Sequence, residues 1–158
     1  MSRGYPIVTP ALAVDAQAID ASWRTFTPRI LNTGAGATPT YLTNSGRFMV
    51  ANNVVRCDIL LDGDGGTPGS GAGQLSVSLP ALPSPLRLLA YLDAIGYMLN
   101  NANHYKILGT LSPVSPWMLL SQWASATASV GSVTGADQNN ATRTIRLHFW
   151  YECDLLLP

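Results

Sequence analysis

Hydrophobic and polar positions alternate most strictly near the end of the chain, where residues 144–155 read TIRLHFWYECDL. The apolar members occupy every second position: Ile145, Leu147, Phe149, Tyr151, Cys153 and Leu155. The opposite face carries Arg146, His148, Trp150, Glu152 and Asp154. A period of two predicts a β-strand with one face in a core and the other towards solvent or a neighbour.

Shorter runs with the same period precede this strand. Residues 48–51 and 54–61 flank Asn52-Asn53 and predict a hairpin, because Asn tolerates the positive φ of a tight turn. Residues 74–79 alternate until a Pro-rich segment ends them, and residues 117–123 form another short apolar run. Residues 124–142 predict a weak strand plus loop. With 14 Gly and 11 Pro between such runs, the chain predicts an all-β sandwich or barrel.

One segment, residues 86–99, fits either a helix or a strand. Leu88, Leu92, Ile95 and Leu99 form a helical stripe, yet apolar residues also fill nearly every other position. Gly96 would weaken a helix by about 1 kcal/mol relative to Ala. The Asn-rich residues 100–103 that follow are typical of a hairpin turn.

Composition narrows the classes of function. The 158 residues favour one domain, the net charge is zero, and only 11% of residues are charged. No basic footprint for nucleic acid or for a membrane surface is present, and no apolar run is long enough for insertion into a membrane. The N-terminus lacks the features of a signal peptide. Cys57 and Cys153, both at inward positions, are predicted to be buried reduced thiols.

From Trp23 onward the sequence resembles β-structured domains of phage minor tail and tail-fibre proteins. The resemblance rests on the order of short motifs across most of the chain, roughly residues 23–154: WRTFTP at 23–28, a Gly-, Thr- and Asn-rich stretch at 32–44, GRF at 46–48, a Val-rich strand at 54–61, SLP at 78–80 and YE at 151–152. The sequence departs from the family at Asn52-Asn53, where Gly is usual, and it has no long fibrous region.

The resemblance implies one antiparallel β-sandwich, jelly-roll-like, that assembles as a homotrimer on the virion. It favours strands over a helix in residues 86–99, with 96–99 pairing to 105–108. Residues 1–22 would be an N-terminal arm that docks onto the virion or a neighbour, and residues 23–158 the β-sandwich domain. Because the sequence has no long fibrous region, the resemblance points to a stand-alone knob, spike or decoration protein and not to a fibre shaft.

The segment LLDGDGGTPGSG at 60–71, the Gly-rich segment, suggests a calcium loop at first sight. Asp58, Asp62 and Asp64 would be its ligands, but no frame supplies the regular oxygen spacing or the terminal Glu of an EF-hand. The segment also lacks the Gly-Lys-Ser/Thr of a phosphate loop. We therefore predict a hairpin loop with no cofactor, and keep a looser calcium site as a minor alternative.

Groups of residues that could form a catalytic site are equally few. His104 and His148 are the only histidines, and no nucleophile motif accompanies them. Trp117, Trp123, Trp150 and Tyr97 are candidates for stacking on sugars, although aromatic residues also dominate cores and interfaces. Outward-facing Trp150, with His148 beside it on the same face, is the strongest candidate for an interface.

The sequence thus predicts a non-enzymatic phage virion protein for host attachment or surface decoration. Its partners would be its own copies, other virion proteins and a host surface glycan or protein. A secreted carbohydrate-binding module is the alternative.

Overall fold

The computed structural model describes residues 22–51, 54–80, 93–101, 103–111, 115–123 and 130–152. Across these ranges the fold is all-β, and every pairing between neighbouring strands is antiparallel. Ten strands form one sheet that curls into a half-barrel, and a single 3₁₀ turn covers Ala136–Gln138. No helix in these ranges is long and apolar enough to cross a membrane.

The strands, in chain order, are β1 (Arg24–Phe26), β2 (Ile30–Asn32), β3 (Thr43–Ala51), β4 (Val54–Asp62), β5 (Leu75–Ser78), β6 (Asp93–Asn100), β7 (Asn103–Leu111), β8 (Trp117–Trp123), β9 (Val130–Ser132) and β10 (Arg143–Glu152). Their order across the sheet is β1-β3-β4-β10-β6-β7-β8-β5-β2, and β9 pairs with β8. The two edges are three-residue strands, and such short edges offer little backbone for unwanted pairing.

The alternating sequence explains which side chains are buried in the middle of the sheet. On β10 every second residue from Ile145 to Tyr151 is buried, and on β4 Val55, Cys57, Ile59 and Leu61 are buried in the same way. These side chains join those of β5 to β8 in one hydrophobic cluster. A twisted sheet with one apolar face curls around that face, because curling brings its apolar side chains into mutual contact.

Both predicted hairpins form. β3 and β4 pair from Thr43 opposite Asp62 to Ala51 opposite Val54, while the turn residues 52–53 lie outside the described ranges. The second hairpin pairs residues 96–99 with 104–107, from Gly96 opposite Ile107 to Leu99 opposite His104, one residue away from the predicted 105–108. The described part of the ambiguous segment, residues 93–99, is therefore strand; residues 86–92 lie outside the described part.

The Asn turn of the second hairpin contains Asn101, whose φ of 57° is in the left-handed region. Asn adopts this conformation more readily than other non-glycine residues, which suits it to the turn that the Asn-rich residues 100–103 predicted. Tight packing, rather than turn geometry, explains Gly96 within β6. A Cβ atom there would lie 2.0 Å from the carbonyl oxygen of Arg146 on β10.

The predicted sandwich is not confirmed. A sandwich packs two separate sheets face to face, whereas the described strands belong to one continuous sheet. Alternation within strands does not reveal this difference, because both architectures bury one face of every strand. Residues 1–21 of the predicted arm and Cys153 lie outside the described ranges.

Arg143 organises the loops at one end of the half-barrel. It is the first residue of β10 and is fully buried. Its guanidinium donates hydrogen bonds to the carbonyl oxygens of Asn140, Thr40 and, at 2.7 Å, Thr67. A buried cation needs such partners, since an unpaired one is strongly destabilising. Arg143 thus binds the Gly-rich segment through the carbonyl oxygen of Thr67.

Neighbouring groups support this arrangement. The Arg143 guanidinium lies 5.4 Å from the centre of the Tyr41 ring, and the Tyr41 hydroxyl donates a 2.8 Å hydrogen bond to Oε1 of buried Gln138. Burial raises the pKa of Tyr41, and the charge of Arg143 offsets only part of this effect, so the hydroxyl keeps its proton. Gly66 lets the backbones approach, because a Cβ there would lie 2.2 Å from the Thr40 carbonyl oxygen.

Candidate functional site

The outward face of the sheet carries two rows of side chains that cross four adjacent strands. Partners in register stand on the same face of a sheet. The first row runs across β3, β4, β10 and β6 through Arg47, Asp58, His148 and Ile95. The second row crosses the same strands through Ser45, Leu60, Arg146 and Tyr97.

A groove of about 530 Å³ lies between the two rows, and we call it the outer groove. All eight row residues line it, together with Ile59, Leu147 and Gly96 from the intervening positions. Four strands at a spacing of about 4.8 Å make the groove roughly 14 Å long. This length suits an extended ligand that crosses the strands.

Asp58 is the charged centre of the first row. Its Oδ2 accepts a 2.7 Å hydrogen bond from Nε of Arg47, and its Oδ1 is in contact with Nδ1 of His148. Burial alone would raise the pKa of Asp58, but the hydrogen bonds and charges of His148 and Arg47 outweigh it. The net pKa lies below the usual 3.8, so Asp58 is an anion at neutral pH.

The contact between Asp58 and His148 has the form of an oriented histidine, as found in catalytic triads. A triad also needs a nucleophile in contact with the other ring nitrogen. Ser45, the hydroxyl residue of the groove, lies on β3 opposite Leu60, with β4 between it and β10. Both carboxylate oxygens of Asp58 have partners, and the cluster is a hydrogen-bonded network around the Arg47–Asp58 ion pair.

Cations stack on aromatic rings along the second row. The guanidinium of Arg146 lies 5.7 Å from the centre of the Tyr97 ring. Lys106 on β7 is opposite Tyr97 and extends the row, and its Nζ lies 5.8 Å from the centre of the Trp123 ring. The guanidinium of Arg47 in the first row lies 4.5 Å from the centre of the ring of Trp23, the first residue of the WRTFTP motif.

The aromatic candidates from the sequence occupy different places. Trp150 is 54% exposed on the outward face of β10, opposite Arg56 on β4. Trp123 is exposed at the end of β8, and Trp117 is half-buried at its start, opposite Ser78. Tyr97 lines the outer groove with His148, whereas the three tryptophans are not among its lining residues.

The three candidate calcium ligands do not converge. Asp58 belongs to the outer groove, whereas Asp62 ends β4 and its Oδ1 accepts a 3.3 Å hydrogen bond from the backbone N–H of Asp64. Asp64 itself is exposed. Among the described residues, no group of three or more His, Cys, Asp or Glu side chains could hold a metal ion.

Sequence reasoning missed Arg143 and Arg146. Arg143 is in phase with the inward residues of β10, so a charged residue at an apolar position was the available signal. The importance of Arg146 depends on its cross-strand neighbours, which a single strand does not reveal.

Cys57 is a free thiol and is buried. Burial, and to a smaller degree the charge of Asp58, raises its pKa, so the thiol keeps its proton and is a poor nucleophile. The predicted burial of Cys57 is confirmed.

No protein-family model matches the chain, and no curated protein matches its sequence. The structure is similar to the crystal structure of the Dettilon tailspike protein (gp208), with a TM-score of 0.61 and 14% sequence identity. The similarity covers 84% of this chain and 24% of the tailspike chain. At this identity it concerns the fold, and the chain spans about a quarter of the tailspike's length.

Proposed function

We propose that this chain is a structural β-domain of a phage virion, positioned on the tail and used for host attachment. The observation that carries the proposal is the structural likeness of 84% of this chain to part of a tailspike protein. The ordered sequence motifs from Trp23 onward support the same class independently. Decoration of the virion surface is the second role compatible with this class.

We propose binding without catalysis. The Asp58–His148 pair is tied to Arg47, and Ser45 lies in the other row of the groove. The exposed aromatic and cationic side chains of the outward face favour contact with a partner. A binding domain gains from repetition, because several weak sites on one assembly act together through effective concentration.

We further propose a homotrimer that is anchored through residues 1–22. The exposed Trp150 and the charged fraction of 11% support partner contacts on this surface. Light scattering coupled to size exclusion would measure the mass of the assembly. A mass of three chains is expected, and a monomer at micromolar concentration would contradict the trimer.

A secreted carbohydrate-binding module remains the second candidate, favoured by the exposed aromatic residues beside the outer groove. Immunoblotting of gradient-purified phage particles and of the culture medium separates the two. We expect the protein to co-sediment with particles and to resist a salt wash. Protein found only in the medium, with none on particles, would reject the virion role and favour the module.

A further inference from the structure

We propose that the outer groove binds an extended oligosaccharide whose repeat carries an acidic group, with Arg146 as the residue that pairs with that group. This inference rests on the proposed function, since it names the class of host surface ligand.

Arg146 has the chemistry that an acidic sugar requires. It is exposed, and within the described part of the chain no ion pair engages it, whereas Arg47 is committed to Asp58. A guanidinium offers a planar fork of donors that matches a carboxylate with two parallel hydrogen bonds. Its position over Tyr97 keeps the fork beside an aromatic ring.

Tyr97 and Ile95 provide the apolar part of the site. Tyr97 is 39% exposed and Ile95 is 58% exposed, and both line the groove on β6. Sugar rings present C–H groups on their faces, and an aromatic ring accommodates such a face. Trp123, stacked with Lys106, continues the same alternation of cation and aromatic ring beyond the groove.

The charge of the groove suits a ligand with widely spaced acidic groups. Among its lining residues, Arg47 and Arg146 are cations and Asp58 is an anion, which leaves one net positive charge when His148 is neutral. The whole chain has a net charge of zero. A nucleic acid carries one charge per nucleotide and is typically bound by strongly basic surfaces. An acidic oligosaccharide, with fewer charges per length, is the better match.

Calorimetric titration of the full chain in the presence of a chelator tests the proposal. The probes are hexasaccharides of two three-sugar repeats, and each repeat contains one acidic sugar, which is galacturonate, mannuronate or sialic acid. The fully methyl-esterified galacturonate hexamer is the control that keeps the sugar and removes the charge. A single-stranded oligothymidylate of equal charge tests the nucleic-acid alternative.

We expect saturable binding of at least one acidic hexamer, and about tenfold or more weaker binding of that hexamer to Arg146→Gln, because charge-assisted hydrogen bonds are lost. If the galacturonate hexamer binds, its methyl ester should bind the native protein more weakly by a similar factor. Tyr97→Thr should weaken the binding of whichever acidic hexamer binds the native protein. It should also weaken the binding of the ester wherever that binding is measurable. Arg29→Gln, which removes one exposed cation outside the groove, should leave affinity unchanged.

Three results would overturn the inference: no binding of any acidic hexamer, equal binding of the galacturonate hexamer and its ester, or a preference for oligothymidylate that depends on Arg146. The immunoblot of purified particles is independent of these titrations. A particle-bound protein that binds no acidic sugar would therefore reject this inference and leave the proposed virion role intact.

Discussion

The guanidinium of Arg143 donates a 2.7 Å hydrogen bond to the carbonyl oxygen of Thr67, joining the start of β10 to the Gly-rich segment after β4. The same side chain bonds to the carbonyl oxygens of Thr40 and Asn140. One residue therefore joins the loop just before β10 to two segments, around Thr40 and Thr67, that are distant from it in sequence.

Replacing Arg143 should destabilise the fold strongly. Arg143→Met removes hydrogen bonds from a charged donor, each of which contributes about 1.5–3 kcal/mol. We expect a loss of about 3 kcal/mol or more in the free energy of unfolding, measured by chemical denaturation. Arg143→Lys should be intermediate because it keeps the charge and loses the fork. Arg29→Met, at an exposed position, is the matched control; equal losses in both Met variants would refute this role of Arg143.

A methyl group at Gly96 should disturb the pairing of β6 with β10. The added Cβ would lie 2.0 Å from the Arg146 carbonyl oxygen, so one strand must shift. We expect Gly96→Ala to cost about 1–3 kcal/mol in the free energy of unfolding. Gly131→Ala on β9 is the control, because nothing lies within 4 Å of its added Cβ. Equal losses in the free energy of unfolding for the two variants would contradict the close approach of β6 to β10.

The Asp58 carboxylate should stabilise the fold in a pH-dependent way. Its pKa is lowered in the folded state, so its contribution is fully present above the usual value of 3.8 and is lost as the pH falls through the lowered pKa. At pH 7 we expect Asp58→Asn to cost roughly 1 kcal/mol, since the partners are exposed.

Denaturation curves of Asp58→Asn and of the unchanged protein, taken at pH 7 and below pH 3.8, measure this effect. The difference between them should narrow at the acidic end. Asp64→Asn, in the Gly-rich segment, controls for the loss of a carboxylate. A difference that stays constant with pH would contradict a stabilising role of the Arg47–Asp58 ion pair.

The Cys57 thiol should be protected in the folded protein. It is completely buried and its pKa is raised, so a thiol reagent meets a protonated, inaccessible sulfur. In a Cys153→Ser variant, Cys57 should react with Ellman's reagent no faster than the protein unfolds, and react fully in denaturant. Rapid reaction under native conditions would show that the core between β3, β4 and β10 opens readily.

Calcium should leave the stability of the protein unchanged, because we expect the Gly-rich segment to be ordered by Arg143. Melting temperatures in millimolar calcium, in chelator and in potassium chloride of equal ionic strength provide the comparison. Asp62→Asn should be equally insensitive to calcium. A rise of several degrees with calcium that chelator reverses, and that Asp62→Asn abolishes, would establish the looser metal site instead.

The alternating segments of the sequence predicted their strands well, since burial on one face determines which positions are apolar. This is why β4, β5 and β10 match their predicted strands closely over the described residues. Periodicity left β6 open between helix and strand, the family resemblance favoured a strand, and its pairing with β7 and β10, where Gly96 allows close approach, confirms it for residues 93–99. Long-range pairing of this kind leaves no periodic signal in a single strand.

The outer groove was only partly accessible to sequence reasoning. His148 and Tyr97 were recognised as surface candidates from the alternation and from residue type. Their association with Arg47, Asp58 and Arg146 depends on the register of four strands, which no local pattern specifies. Alternation likewise does not distinguish one curled sheet from two packed sheets, because both architectures bury one face of every strand.

The most direct test of the proposed role is electron microscopy of intact phage particles labelled with an antibody fragment against this chain. The fragment should be raised against an exposed segment outside the outer groove, so that labelling does not depend on ligand binding. We expect label on the tail of the particle, in a number of copies set by the symmetry of the tail. Particles that carry no label anywhere, while the same fragment binds the purified protein, would contradict the virion role.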